Sequence, residues 1–488
     1  MSRTHLGWAL LAALSLSACH APPGIENQPL GAVAANPERR SLDLADRDRP
    51  VILMTFSGGG TRAALLASSV MRELGRYEYR TPTGTHNLAD DIRMISSVSG
   101  GSVAAAYVGL YGTDSLATLE ESFLAEDNMS ALIGKALNPL TAARLTFTGF
   151  TRIDAWEELL DQRLFHHRRM AELNQPGRPY VILNATDMSS GEVFDFTPHR
   201  FDDICADLDR LPISVGVAAS SAFPVALTPV NFKVFSGPGC NVAPRASIAR
   251  ALEYPGQRYI NLPRYKDARY ANDLRHGQNS FRKIDYLHLL DGGVADNLGA
   301  TSLLRVMTEP GSPMPVLAAI NTGRVRRLVV IVVNARSDHP NAINATLDGA
   351  SSLQAQLASV TSIPIDAASA GMARQSDGLI NDLTDAVRQV QALPGKDGAL
   401  FSDMKVFGAI VDFDQFRPEQ VELQACAKVV PTSWTLTRDQ FATIRASGPT
   451  LLRQHPGFRA LIADLGIAPP PEVAAPLGCA PASYASTR

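Results

Sequence analysis

Two short apolar runs, each ending in a glycine-rich turn that opens a helix, constrain this chain more than any other feature. Val51-Ile52-Leu53-Met54-Thr55-Phe56 is continuous and of strand length, the pattern of a strand buried on both faces. Ser57-Gly58-Gly59-Gly60-Thr61-Arg62 follows, and Ala63 to Arg76 then sets Leu65, Leu66, Val70 and Leu74 near helical spacing. A second run, Ile92 to Ile95, leads through Ser96-Ser97-Val98-Ser99-Gly100-Gly101-Ser102 into the helical stretch Val103 to Val108. The order β-loop-α-β-turn-α predicts an α/β fold of three layers, a mostly parallel central sheet flanked by helices.

The rest of the chain extends this pattern. Residues 115–173 read as a helical insertion, with Ile153, Trp156, Leu159, Leu160 and Leu164 on one apolar face. Its Leu132, Ile133, Leu137, Leu140, Leu145 and Phe147 either face substrate or membrane as a cap, or pack on the sheet. Strands are expected at Tyr180 to Asp187, Tyr286 to Leu290, Leu328 to Asn334 and Lys405 to Phe413, with Glu192 to Thr197 returning as a hairpin. Val215 to Ser221 is a small-residue helix, residues 236–280 an irregular excursion, and 345–393 helical.

A serine on a strand-to-helix turn is a nucleophile elbow, in which the tight backbone pushes the hydroxyl outward. Ser99 holds that position, with Gly100 and Gly101 leaving room for substrate and helix packing. The run Gly58-Gly59-Gly60 offers backbone amides at a helix N-terminus, where an oxyanion is stabilised. Arg62 adds a positive charge there, for a substrate phosphate or for holding the loop. Asp291-Gly292-Gly293, at a strand end, supplies a carboxylate able to take the serine proton. His288 lies three residues earlier on that strand and points to the opposite face.

Together these blocks resemble the patatin-like phospholipases, and the Ser-Gly-Gly-Gly-x-Arg loop is similar to that of cytosolic phospholipase A2. The similarity extends to Ala219-Ser220-Ser221-Ala222-Phe223-Pro224 and to Asn184-Ala185-Thr186-Asp187, and covers residues 50 to about 335. It implies a Ser-Asp dyad: Ser99 as nucleophile, Asp291 as general base, Gly58, Gly59 and Gly60 as the oxyanion loop, and no cofactor or metal. Hydrolysis of phospholipid or related lipid esters through an acyl-enzyme is the implied activity. Two positions depart from the family pattern, Ser97 where glycine is usual and Ala63 where the loop often ends in glycine. Gly58-Gly59-Gly60-Thr61-Arg62-Ala63 also fits a dinucleotide fingerprint, but the next strand ends in serines rather than the acidic residue that reading needs. A Ser-His-Asp triad using His339 or His455, and a lipid-binding protein without turnover, are the alternatives.

The amino terminus adds a compartment. Arg3, the apolar stretch Leu6 to Leu16 and the small residues after it form a secretory signal pattern. Leu16-Ser17-Ala18-Cys19 resembles a bacterial lipobox, which implies cleavage before Cys19, acylation of its thiol and, with His20 rather than Asp next, the outer membrane; an ordinary secretion signal is the other reading. Domains are then expected as a signal peptide over 1–18, a tether over 19–49, a catalytic domain over 50–420 and a C-terminal extension over 421–488. Four further cysteines suggest two disulfides, with proximity favouring Cys205–Cys240 and Cys426–Cys479. A net charge of -3 provides no basic field for nucleic acid, so the expected partners are a lipid substrate and the membrane that holds the anchor.

Overall fold

A computed structural model of the 488-residue chain describes residues 24–31, 35–36, 44, 46–173, 175–224, 226–237, 239–253, 262–276, 283–308, 316–338, 378, 380–395 and 400–471. Cys19, Cys479, His339 and all of 345–377 lie outside them. The apolar runs form strands, in chain order β1 (Val51–Phe56), β2 (Glu78–Thr81), β3 (Gly84–Asn87), β4 (Ile92–Val98), β5 (Tyr180–Asp187), β6 (Val193–Asp195), β7 (Val230–Lys233), β8 (Tyr286–Asp291), β9 (Arg327–Asn334) and β10 (Lys405–Asp412). The main sheet runs β10-β9-β1-β4-β5-β8-β7, with β6 beside β5. Strands β10, β9, β1, β4 and β5 are parallel, whereas β8, β7 and β6 join by antiparallel pairing.

Alternation along β1 shows why the strand is apolar throughout. Ile52, Met54 and Phe56 enter one core, and Val51 and Leu53 enter another on the opposite face. The first core is closed by α1 (Gly60–Leu74), α2 (Gly100–Tyr111), α3 (Asn128–Leu137), α5 (Arg152–Leu160) and α6 (Ile213–Ser220), of which α3 touches only its margin; α4 (Pro139–Phe147) lies outside it. Two polar helices, α7 (Ala246–Glu253) and α8 (Leu262–Arg275), lie further along the chain. The second face is covered by α9 (Ala300–Thr308), through Leu303, Val306 and Met307. Helices α10 (Arg438–Gln454) and α11 (Pro456–Leu465) bring Ile444, Leu451, Leu452, Phe458, Leu461 and Ile462 into the first core. The stretch after residue 420, expected as an extension, therefore shares its core with the strands before it.

Three local expectations need correction. Helix α1 begins at Gly60, inside the glycine run, rather than at Ala63. Residues 236–280 are not simply irregular, because α7 and α8 form there and pack on one another through Ile248, Ala251, Leu252, Ala268 and Ala271. Their ends are also fixed by charge: buried Asp203 accepts from Arg245 and Arg275 at 2.8 Å each, and buried Arg200 pairs with Asp267 of α8. The Cys205–Cys240 disulfide, with Cα atoms 5.9 Å apart, ties this excursion to the body, and Cys426 is disulfide-bonded as well. Finally, part of the expected tether is docked. Asn27 donates to Lys233 O at 2.9 Å and accepts from Lys233 N at 2.8 Å, so one side chain satisfies both backbone groups on the exposed edge of β7.

Candidate active site

The site forms at the carboxyl ends of β1 and β4, the usual ligand position in parallel α/β sheets. Strand β4 stops at Val98 and α2 starts at Gly100, so Ser99 alone makes the turn, with φ 51° and ψ -119°. A serine held at positive φ is strained and persists only where its surroundings enforce it. Several contacts do so. The Ser99 N–H donates to Ser220 Oγ at 2.9 Å, Ser220 Oγ donates to Asn184 O at 2.6 Å, and Ser102 Oγ lies 2.8 Å from Ser220 Oγ. Because Ser220 has one proton and gives it to Asn184, Ser102 must be the donor to Ser220. Ser97, which replaces the usual glycine, is not crowded: its hydroxyl donates to Ile182 O at 3.1 Å and lies 3.1 Å from Ser102 Oγ.

The elbow and the glycine loop touch directly. A Cβ on Gly100 would fall 2.0 Å from Gly60 O, and one on Gly60, whose φ is 61°, would fall 2.4 Å from Ser433 O. Only glycine permits both approaches. The Gly58 N–H is committed to Asn297, donating to its Oδ1 at 3.1 Å and its backbone O at 3.2 Å. This corrects the expectation that all three glycines serve an oxyanion; Gly59 and Gly60 remain as the loop's candidate donors. Ala63 is buried within α1, where its methyl group joins the core.

Arg62 also differs from one of its two expected uses. It is buried, and its guanidinium donates to Ala335 O at 2.8 Å, to Val430 O and to Thr432 Oγ1 at 3.1 Å. The Thr61 N–H donates to Ser433 O at 2.9 Å. Arg62 thus holds the loop against residues 430–433 rather than facing a substrate phosphate.

Asp291 ends β8, buried, with its Oδ1 accepting from Gly293 N at 2.8 Å and Ser99 close enough to favour its ionised form. Burial pushes its carboxyl up to about 6, against the pull of the Gly293 and Ser99 hydrogen bonds. Gly292 is needed for proximity, since a Cβ there would lie 2.3 Å from Asn184 O. His288 is exposed and bonds Asn231 Oδ1 at 2.6 Å, and His455 caps α11 through Gly457 N, so neither approaches Asp291 along its own strand or turn. Ser99, Asp291 and the glycine loop are thereby brought together.

A model of the patatin-like phospholipase family matches residues 54–304, just over half of the chain. The chain belongs to that family. Within this patatin-like domain, sequence reasoning gave no role to Ser220 or Asn297. Asn297 lies one helical turn beyond Gly293, a spacing that returns its amide to the Asp-Gly-Gly turn and was the available signal. Comparison with curated proteins gives no match. Among solved structures, a human GIVD cytosolic phospholipase A2 is similar with a TM-score of 0.43 at 12% identity, covering 86% of this chain and 62% of that one. The human protein in complex with methyl gamma-linolenyl fluorophosphonate gives 0.39 at 11% identity, covering 86% and 59%. This chain therefore spans less than two thirds of those proteins' length.

Proposed function

We propose that this patatin-like protein is a serine acylhydrolase that cleaves ester bonds of phospholipids or related lipids through a Ser-Asp dyad. One observation carries the reading: Ser99, at the tip of a strained elbow, stands beside a buried carboxylate whose pKa is raised to about 6 and whose ionised form the serine side chain favours. At neutral pH Asp291 is ionised, yet basic enough to accept a proton. Ser99 Oγ attacks the acyl carbonyl as its proton passes to Asp291, and the oxyanion accepts hydrogen bonds from the N–H groups of Gly59 and Gly60 at the start of α1. Asp291 returns the proton to the departing alcohol or lysophospholipid, leaving an acyl-Ser99 ester. Asp291 then takes a proton from the water that attacks that ester, and gives it to Ser99 Oγ as the acyl–Oγ bond breaks and the fatty acid leaves.

Labelling with a fluorophosphonate followed by peptide mapping tests this. The expected adduct is on Ser99 and disappears in Asp291→Asn. Near-normal turnover by Ser99→Ala would refute the dyad, and a folded protein that forms no adduct even in micelles is a lipid binder without turnover.

The cellular address belongs to the same proposal and rests on sequence alone: Cys19 is acylated and holds the protein on the outer membrane of a bacterial envelope. Metabolic incorporation of labelled palmitate that is lost in Cys19→Ser is the expected outcome. Incorporation unchanged in that variant would remove the anchor.

A further inference from the structure

Helices α3 and α4 form a hairpin around Asn138 that is built the wrong way round for water. The only side chain α3 buries is that of Asn128, and the only one α4 buries is that of Thr141. Met129 and Leu132 of α3 pack at the margin of the core, but four large apolar residues face out: Ile133 is 52% exposed, Leu137 76%, Leu140 74% and Phe147 63%. Ile133 and Leu137 are one helical turn apart, and Leu140 and Phe147 two, so each helix presents its pair on one face. An apolar cluster of this kind on a soluble surface marks an interaction site. Charge narrows the partner. Between Asp127 and Asp154 the chain carries no carboxylate side chain, while Lys135, Arg144 and Arg152 are cationic. Lys135 and Arg144 reach back to the single Glu158 of α5, at 2.7 and 2.8 Å, so α3 and α4 themselves carry cations and no carboxylate side chain. Two copies meeting through this face would bring like charges together, whereas an anionic bilayer satisfies both the apolar side chains and the charge.

We propose that the α3–α4 hairpin is a lipid-docking element, inserting Ile133, Leu137, Leu140 and Phe147 among the acyl chains of an anionic phospholipid surface. The choice of occupant rests on the acylhydrolase reading, which places the substrate in such a surface. The hairpin is fixed to the catalytic centre through α5. Trp156 donates from Nε1 to Ser221 Oγ at 3.0 Å, beside the Ser220 that holds the nucleophile's amide. Its ring also meets Trp434, centroids 4.3 Å apart, next to the Ser433 seated on the glycine loop. Docking therefore sets the position of Ser99 relative to the bilayer.

The test uses the full chain and two variants. In Phe147→Trp, added tryptophan fluorescence should be quenched by vesicles containing brominated phosphatidylglycerol, and less so at high salt. The combined variant Ile133→Gln, Leu137→Gln, Leu140→Gln and Phe147→Gln should lose about tenfold or more in hydrolysis of phosphatidylglycerol vesicles. Its melting temperature and its hydrolysis of a soluble short-chain ester should stay at parental values. Absence of quenching, or undiminished vesicle hydrolysis by the combined variant, would overturn the proposal, as would a parental dimer that the variant dissociates without change at vesicles. Quenching reads docking without turnover, so a chain that is quenched but hydrolyses no ester refutes the catalytic reading and leaves the docking element standing.

Discussion

Ser220 accepts the backbone N–H of Ser99 at 2.9 Å, so the residue that fixes the nucleophile's main chain comes from a helix 121 positions later. Removing that hydroxyl leaves a buried amide without its acceptor, at a cost of about 1–3 kcal/mol. It also releases a backbone held at φ 51°. Ser220→Ala is expected to lower the denaturation midpoint and to reduce kcat on a soluble ester by about 10²-fold, with KM little changed, because the reacting atom is displaced while the substrate is still bound. Urea unfolding and steady-state kinetics measure the two effects separately. A stable variant with unaltered kcat would show that Ser220 does not position Ser99.

The raised pKa of Asp291 sets the pH dependence. The carboxylate must be ionised to accept the Ser99 proton, so kcat/KM on a neutral ester should rise with pH and level off above about 6. In Ser99→Ala the hydroxyl that stabilises the ionised form is gone, and the Asp291 pKa should move further up. The first expectation is checked by a pH–rate profile and the second by titration of the carboxyl band in infrared difference spectra. An ascending limb near the ordinary carboxylate range would argue that Asp291 is better solvated than its burial implies.

Much of this arrangement was legible because strands of a parallel sheet are buried on both faces and must be apolar without interruption. Val51 to Phe56 and Leu328 to Asn334 declare themselves in that way, and the turns after such strands are where Gly58 to Gly60 and Ser99 stand. The closures between distant parts left no such trace. Ser433 O on Thr61 N, Asn297 on Gly58 N and Ser220 on Ser99 N are isolated contacts between residues far apart in sequence, with no period to read. Helices α7 and α8 leave little trace for another reason: their mutual apolar face is only Ile248, Ala251 and Leu252 against Ala268 and Ala271, and Arg245, Arg275 and Asp267 hold their surroundings through Asp203 and Arg200. The docked segment around Asn27 was missed because proline-rich, mixed-charge sequence carries no sign of the edge strand it covers.

Arg62 offers a way to separate two roles. A guanidinium that bound substrate phosphate would, when removed, damage hydrolysis of phospholipids far more than that of neutral glycerides. Here its partners are Ala335 O, Val430 O and Thr432 Oγ1, all within the protein. Arg62→Gln should therefore depress activity on both substrate classes by the same factor and lower stability by about 1–3 kcal/mol as buried carbonyls lose their donor. The ratio of kcat/KM for a phosphatidylcholine and a diacylglycerol of identical chains, in the same micelles, is the discriminating measurement. A selective loss on the phospholipid would return Arg62 to the substrate.

Asn297 joins the glycine loop to the Asp-Gly-Gly turn of the candidate site, since its Oδ1 accepts from Gly58 N and lies 2.7 Å from where a Cβ on Gly293 would stand. It holds the start of the oxyanion loop against the turn that carries Asp291. Asn297→Asp retains an acceptor for Gly58 but brings a second carboxylate close to Asp291, where like charges raise the pKa of the pair. Asn297→Ala removes the acceptor and leaves the loop free to shift. The aspartate variant should keep near-parental stability while its pH–rate profile moves to higher pH; the alanine variant should lose kcat at every pH with no such displacement. Matching profiles in the two variants would mean that Asn297 only fills space, and that Gly58 is held by its contact with the Asn297 main chain alone.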